Sequence, residues 1–566
     1  MLCATGLALA DHFNSQTKYF YFQMVPIMYA EYALTNGLLR TLDDSLPFAS
    51  AVAWRDGQII AVGSDAEVRS VCDDQTKIVD LQGHCLVPGL IDSHFHPLGG
   101  VDNTRGGIDL MDCHSLDDLC TRLAAERARL PAESWVLGYG LNYSVFPDGV
   151  PENRWIEEAV GHGPAMITLY DHHAAIATQK ALDLAGVTGP VPFAGNSEIV
   201  FVNGVATGEL REIPAIDHVA EAIPPLTDEQ RYTNYLSAFK KWNAMGITGI
   251  HAMDGTPETL SMLRRLEANG DLTLRLVVPM SIKPGMSIAE MQELAKEFGQ
   301  HGRNWVCKTA KFFIDGTIEA GTAWLFEPDS KGNSTQPYWP DPDYYAQAVK
   351  LFAAAGFQCI THAIGDRAIK AALDAYKAAG HAPGVRHRIE HVETLRDEEL
   401  ARFAAENVIA AMQPLHADMS FDSDTPLWPA LLGPERTARG WRYGDLKRAG
   451  VTVPLGSDWP VAPADPRLTL ASAQLRRAPW RPDMPAYKPE QALTGLQALE
   501  GYTIEGARTV GEEDKNGRIA VGFRADFTGF TQDPVTHPPE TLADLPVTIT
   551  VVDGRIVHQA LSARPT

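Results

Sequence analysis

The sequence predicts an α/β chain: a (β/α)8 barrel, with a small β-sandwich assembled from both chain termini. Three observations predict it. Amphipathic helical stretches that stop at a glycine and run into a short apolar strand recur through the middle of the chain. More than 400 residues separate two terminal β-rich segments. Both of those segments carry an Asp-Gly hairpin turn.

The N-terminal β segment begins near Glu31. Ala33-Leu-Thr-Asn-Gly37 reads as a strand and turn. Ala51-Val-Ala-Trp54, the turn Asp56-Gly57 and Gln58-Ile-Ile-Ala-Val-Gly63 read as a hairpin, because Asp-Gly suits a tight two-residue connection. The pattern returns at the other end, where Val547-Thr-Ile-Thr-Val-Val552, Asp553-Gly554 and Arg555-Ile-Val557 follow Gly522-Phe-Arg-Ala-Asp526. Residues 31–85 and 515–566 are therefore expected to share one sandwich. Between them, Trp242-Asn-Ala-Met-Gly246 precedes Ile247-Thr-Gly-Ile250. A helix over 345–355 stops at Gly356 before the strand 357–361, and Asp445-Leu-Lys-Arg-Ala-Gly450 leads into Val451-Thr-Val-Pro-Leu455. Helix–Gly–strand repetition implies a parallel sheet, closed into a barrel at this length. No Gly-rich phosphate loop favours the open, doubly wound alternative. The barrel is expected over 86–514, with an insertion at about 100–220 that holds a helix at 116–125 and covers the pocket.

Composition excludes some classes. The chain has 566 residues and a net charge of −23, with 45% hydrophobic and 21% charged residues. Such an acidic balance argues against nucleic acid and against an anionic membrane surface. A small-molecule substrate is the expected partner, and a homodimer the assembly considered. Seven cysteines with no Cys-x-x-Cys give no disulfide framework, which fits reduced thiols and a cytoplasmic setting. No segment reaches the ~18 apolar residues of a membrane span. Residues 1–30 read as a disordered extension; Ala8-Leu9-Ala10 resembles a signal cleavage site, but no basic residue precedes it.

Barrel enzymes place their chemistry at the C-terminal ends of strands. After the apolar run 86–91 come Asp92, His94 and His96, alternate residues that a strand projects to one side. The later strand ends carry His251, Lys311 with Asp315, His362, Glu390 with His391, Gln413 with His416, and Gly456-Ser-Asp458-Trp459. Imidazoles with a carboxylate are what a hydrolytic metal site needs, together with an open position for water.

These stretches resemble the amidohydrolase superfamily, and in particular the N-substituted formamide deformylase-like branch of amidohydrolase family 3. The resemblance rests on Leu86-Val-Pro-Gly-Leu-Ile-Asp-Ser-His-Phe-His-Pro97, Lys311-Phe-Phe-Ile-Asp-Gly316, Thr361-His-Ala-Ile-Gly-Asp-Arg-Ala368, Arg386-His-Arg-Ile-Glu-His391, Gln413-Pro-Leu-His416, Leu455-Gly-Ser-Asp-Trp-Pro460 and the terminal Gly522-Phe-Arg-Ala-Asp526. It implies His94 and His96 on a first metal, and His362 and His391 on a second. It also implies Asp458 as ligand and proton shuttle. Lys311 lies where relatives carry a carboxylated bridging lysine, with Asp315 the other candidate for that place. An unmodified ammonium has only donors and cannot ligate a cation.

His173 falls where relatives have Asp-Gly-His, although His172 replaces the glycine here. His173 and His251 are candidate oxyanion or substrate contacts. His416, Trp459 and Arg388 are candidate substrate-binding residues, with packing the plainer role for Trp459 and Tyr139. His84, His114 and His162 fall outside the strand-end pattern and read as surface residues. One or two divalent ions are expected, zinc first, with iron, manganese and nickel open. The implied activity is hydrolysis of a non-peptide C–N bond, an amide or N-formyl group, by metal-activated hydroxide. An ester, lactone or phosphoester hydrolase on the same site is the alternative within enzymes; a non-catalytic assembly protein is the alternative outside them.

Overall fold

A computed structural model describes residues 29–561, apart from 105, 114, 132, 171–173, 194–196, 212 and 422–425. Seven parallel strands form the central sheet: β1 (Leu90–Phe95), β2 (Ile247–Ala252), β3 (Arg275–Ser281), β4 (Trp305–Phe313), β5 (Gln358–Ala363), β6 (Arg388–His391) and β7 (Ile409–Ala411). They run in sequential order around the sheet. An eighth segment, 452–456, closes the barrel. The Ala410 and Met412 amides donate to Thr452 and Pro454 on one side, and the Ser93 amide donates to Leu455 on the other. A full strand was expected over 451–455; only one ladder bridge forms, between Met412 and Leu455. Pro454 has no amide proton to give a ladder, and the Leu455 amide is spent on Gly501.

The expected helix–Gly–strand units are present. Helix α1 (Asp228–Ala244) starts in a capping box between Thr227 and Gln230. It ends at Gly246, whose φ of 92° lets the chain turn into β2. Helix α2 (Pro342–Ala354) leads into β5, and α3 (Asp366–Ala379) leads away from it. Beyond β7 come α4 (Pro414–Phe421), α5 (Tyr443–Arg448) and α6 (Pro466–Leu475).

Both chain ends meet in the sandwich. One sheet has four strands, all N-terminal: Tyr32–Thr35, Ala51–Arg55, Gln58–Gly63 and Lys77–Asp80. The other pairs Leu38–Arg40, Phe48–Ala49 and Cys85–Pro88 with Phe527–Phe530, Val547–Val552 and Arg555–Gln559. Leu34, Val52, Trp54, Leu86, Phe527, Ile549 and Val551 pack between them. Asp56-Gly57 and Asp553-Gly554 all have positive φ, as their tight turns require. Polar links fix the sandwich to the barrel. Arg275 on β3 makes two bonds to Asp526, and Thr528 donates to the Gly246 carbonyl.

Between β1 and β2 the chain builds a six-stranded sheet of its own. Its strands are Ile108–Asp109, Val136–Leu141, Ala165–Leu169, Ala174–Ala177, Glu198–Val202 and Val205–Arg211. They pack with helix Leu116–Arg129 over Leu110, Leu119, Leu123, Val136, Leu141, Ile167 and Ile176. Only the helix is expected from the sequence: Gly138, Gly140 and the alanines of 174–177 dilute the β pattern, and the Asn203-Gly204 turn between Glu198–Val202 and Val205–Arg211 is a hairpin signal passed over above. Among the described residues, no helix is long and apolar enough to cross a membrane, and six cysteines are free thiols.

Candidate metal centre

Strand ends bring the predicted ligands together at one mouth of the barrel. His94, on β1, presents Nε2 3.2 Å from Asp458 Oδ1, and His96 Nε2 lies 3.2 Å from the same oxygen. Ligand atoms of His94, His391 and Asp458 all lie within 4.8 Å of one another, and all three residues are buried. The His362 ring is 4.5 Å from that of His391, which lies 4.8 Å from that of His94. The His416 ring stacks parallel to His391 at 5.7 Å, with Nε2 3.6 Å from Asp458 Oδ2.

Backbone geometry at this mouth is unusual. His391, Val392 and Asp458 have φ of 71°, 49° and 62°, a region that L-residues with side chains seldom occupy. Such strain persists where surrounding structure over-determines it, and it gathers at functional sites. Gly456 shows the crowding. A Cβ there would meet the His94 amide nitrogen at 2.5 Å and Asp92 Oδ1 at 2.9 Å.

The imidazoles of His94 and His96 are held from behind. His94 Nδ1 pairs with Glu390 at 2.5 Å, which leaves Nε2 to face the cluster. Glu390 is gripped by Arg388 through two nitrogens. Arg388 also donates to the Ser93 carbonyl and lies 3.3 Å from His251 Nδ1. His96 Nδ1 lies 3.6 Å from Asp254, which accepts from the amides of Gly99 and Gly100. Neither Glu390 nor Asp254 was assigned a role from sequence. The signal was there for Glu390, since Arg388 and Glu390 are alternate residues of one strand and share a face.

Electrostatics suits a cation. Burial draws the His391 pKa well below the ordinary histidine value. It takes His362 down to about 3 and His416 to about 4, so these rings stay neutral and available as ligands. Burial opposes ionisation of Asp458, yet His94 and His96 hold its carboxyl well below the usual range. Burial likewise works against Glu390, but Arg388 and His94 bring it to about 2. Burial also opposes charge on His96, but Asp254 and Asp458 lift it to about 9, so this ring holds a proton that must leave before it can ligate an ion. Buried polar atoms are nearly always paired in folded proteins. Here His391 Nδ1, His416 Nε2, Asp458 Oδ1 and Lys311 Nζ are buried with no hydrogen-bond partner. A cation among the imidazoles and Asp458 relieves most of that deficit, so the residues fit a metal.

Lys311 is buried with its ammonium 4.6 Å from the Phe313 ring centre. Burial lowers its pKa to about 8, against the pull of Glu390 and Asp458.

Other expectations are placed differently. Asp92 does not share the ligand cluster. It accepts from the amides of His94 and Ser457 and from the Tyr502 hydroxyl, tying β1 to the segment that closes the barrel. Asp315 accepts from the amides of Trp324, Ile364 and Gly365, so its carboxylate shapes loops and stays 3.8 Å from His362 Nε2. Arg388, expected to bind substrate, is 0% exposed and committed to Glu390, Ser93 and His251. His251 is buried as its partner. Trp459, also expected at the substrate, packs between Phe95, Trp242 and Tyr139. His173 and His114 lie outside the described residues. His162 is exposed and His84 half-buried, away from the cluster.

A barrel whose strand ends gather imidazoles and a carboxylate in this way is that of a metal-dependent hydrolase. The chain belongs to the amidohydrolase family, whose family model matches residues 77–558. It is 29% identical over 520 residues to the protein LONG AFTER FAR-RED 3 of Arabidopsis thaliana, covering 88% of this chain and 86% of that one. It is 26% identical over 556 residues to N-substituted formamide deformylase of Arthrobacter pascens, covering 93% and 98%. The crystal structure of an uncharacterized metal-dependent hydrolase from Pyrococcus horikoshii matches at a TM-score of 0.72 and 25% identity, covering 90% of this chain and 99% of that one.

Proposed function

We propose that this protein hydrolyses a non-peptide C–N bond, an amide or N-formyl group of a small molecule. The observation that carries the reading is the convergence of His94, His391 and Asp458 within 4.8 Å, ringed by His96, His362 and His416. The relative that deformylates N-substituted formamides supports the bond type. His94, His96 and Asp458 would hold one divalent ion, and His362 and His391 a second, and a carboxylated Lys311 would add an oxygen ligand. Imidazole and carboxylate donors suit zinc. When bound, such an ion lowers the pKa of a water and polarises the electrophilic carbonyl.

The remaining chemistry belongs to side chains. Asp458 is held ionised by His94 and His96 and takes a proton from the attacking water through a carboxylate oxygen. It then delivers that proton to the departing nitrogen, since an amide leaves as an amine only when protonated. His416, 3.6 Å from Asp458 Oδ2, is the neutral imidazole beside that transfer. Glu390 and Asp254 hold the rings of His94 and His96.

The test is a panel of N-formyl and N-acyl amines, with matched esters, offered to the metal-loaded protein. Amine release that a chelator abolishes is the expected result. Asp458→Asn should keep the fold and lower kcat by about 10²–10⁴-fold. Turnover confined to esters, indifference to chelators, or a fully active Asp458→Asn protein would each refute the proposal.

A further inference from the structure

We propose that Phe313 is the wall that selects the substrate, favouring one that carries a planar, apolar substituent. This deepens the reading above and rests on it. Phe312 and Phe313 are neighbours on β4 and point opposite ways, as strand residues must. Phe312 is fully buried and packs outward, against Tyr345 and Phe352 of α2, at 5.7 and 6.0 Å between ring centres. Phe313 faces the barrel mouth, with Lys311 below it on the same face of the strand. It stands opposite His362 in the β4–β5 ladder, their ring centres 5.1 Å apart and tilted by 33°.

Phe313 is thus in contact with a predicted metal ligand, yet 36% of it is exposed. A phenyl ring serving only the core would be covered. This one keeps a face open beside His362 and Lys311. Pockets for small molecules pair an apolar wall with a few polar groups that fix orientation. Phe313 supplies that wall, and an aromatic ring favours stacked or edge-on partners. Covering its open face with a phenyl group is worth about tenfold in affinity.

The test compares wild type, Phe313→Ala and Phe313→Leu on two substrate pairs: N-(2-phenylethyl)formamide against N-ethylformamide, and N-methylphenylacetamide against N-methylacetamide. Phe313→Ala should raise KM about tenfold for the aryl member of at least one pair. It should change the alkyl members less than twofold and leave kcat and metal content near wild type. Phe313→Leu should recover most of the loss. An equal loss on aryl and alkyl members, or no change on either, overturns the proposal. If no amide is turned over, the reaction class fails separately, and binding still decides the role of Phe313. Calorimetry of 1-(2-phenylethyl)urea should then show tighter binding to wild type than to Phe313→Ala. Equal binding, or none to either, overturns it.

Discussion

His94 carries the centre, and its orientation is set by a group that never meets the substrate. Glu390 accepts from His94 Nδ1, which fixes the tautomer with Nε2 free to face a cation. Glu390→Gln keeps the shape but turns either a weaker acceptor or a donor toward Nδ1. Metal affinity should fall about 10–100-fold, read by chelator competition, while the far-ultraviolet circular dichroism stays unchanged. Unaltered metal affinity would show that Glu390 does not position the ring. The ligand types were legible in the sequence because each stands at the end of an apolar strand. Which support serves which ligand was not, since Glu390 and His94 are 296 residues apart and only the closed barrel joins them. Asp92 shows the limit of alternation as a guide. It belongs to the same strand as His94, but the Ser457 amide captures its carboxylate. Arg388 shows the same limit in reverse, since a cation at a strand end can serve the protein's own glutamate.

At the scale of elements, helix α5 illustrates how local charge sets acid stability. Asp445 accepts from Arg442 at 2.7 Å and from Arg448 at 2.5 Å. Burial works against its ionisation, but those two guanidinium groups hold its pKa at about 2. A depressed carboxyl contributes stability that is whole above the unfolded value of about 4. That stability is lost as pH falls toward about 2. Solvent screening leaves about 1 kcal/mol. Asp445→Asn should lower the urea midpoint at pH 7 accordingly and flatten its decline between pH 4 and pH 3. An unchanged slope would mean that the pairing is not held in solution. Elements with a strong period were readable in advance: the end of α1, α2, the Asp-Gly hairpins and β1 all fall near their expected places. The inserted sheet was not: Ala174–Ala177 is mostly alanine and is a strand through tertiary packing, although Glu198–Val202, the turn Asn203-Gly204 and Val205–Arg211 did carry a hairpin signal. The closing segment failed as a strand for a covalent reason, the missing amide proton of Pro454.

Across the whole molecule, the barrel and sandwich are joined by buried charge. Arg275 reaches from β3 to Asp526, and Asp526 also accepts from the Asp553 amide at the hairpin turn. Asp526→Ala leaves the guanidinium buried without its main partner, a change that costs about 3–5 kcal/mol. The urea midpoint should drop sharply; a shift below about 1 kcal/mol would mean that water or Asp553 replaces the carboxylate. The sandwich has a consequence for how the protein is made. Cys85–Pro88 pairs with Leu38–Arg40 on one edge and with Phe527–Phe530 on the other, and it runs straight into β1. During synthesis this segment leaves the ribosome with one edge bare, and its other neighbour is translated more than 400 residues later. The nascent chain must carry an open, apolar sheet edge until Phe527–Phe530 is made, so that strand acts as the clasp that ends its exposure to aggregation.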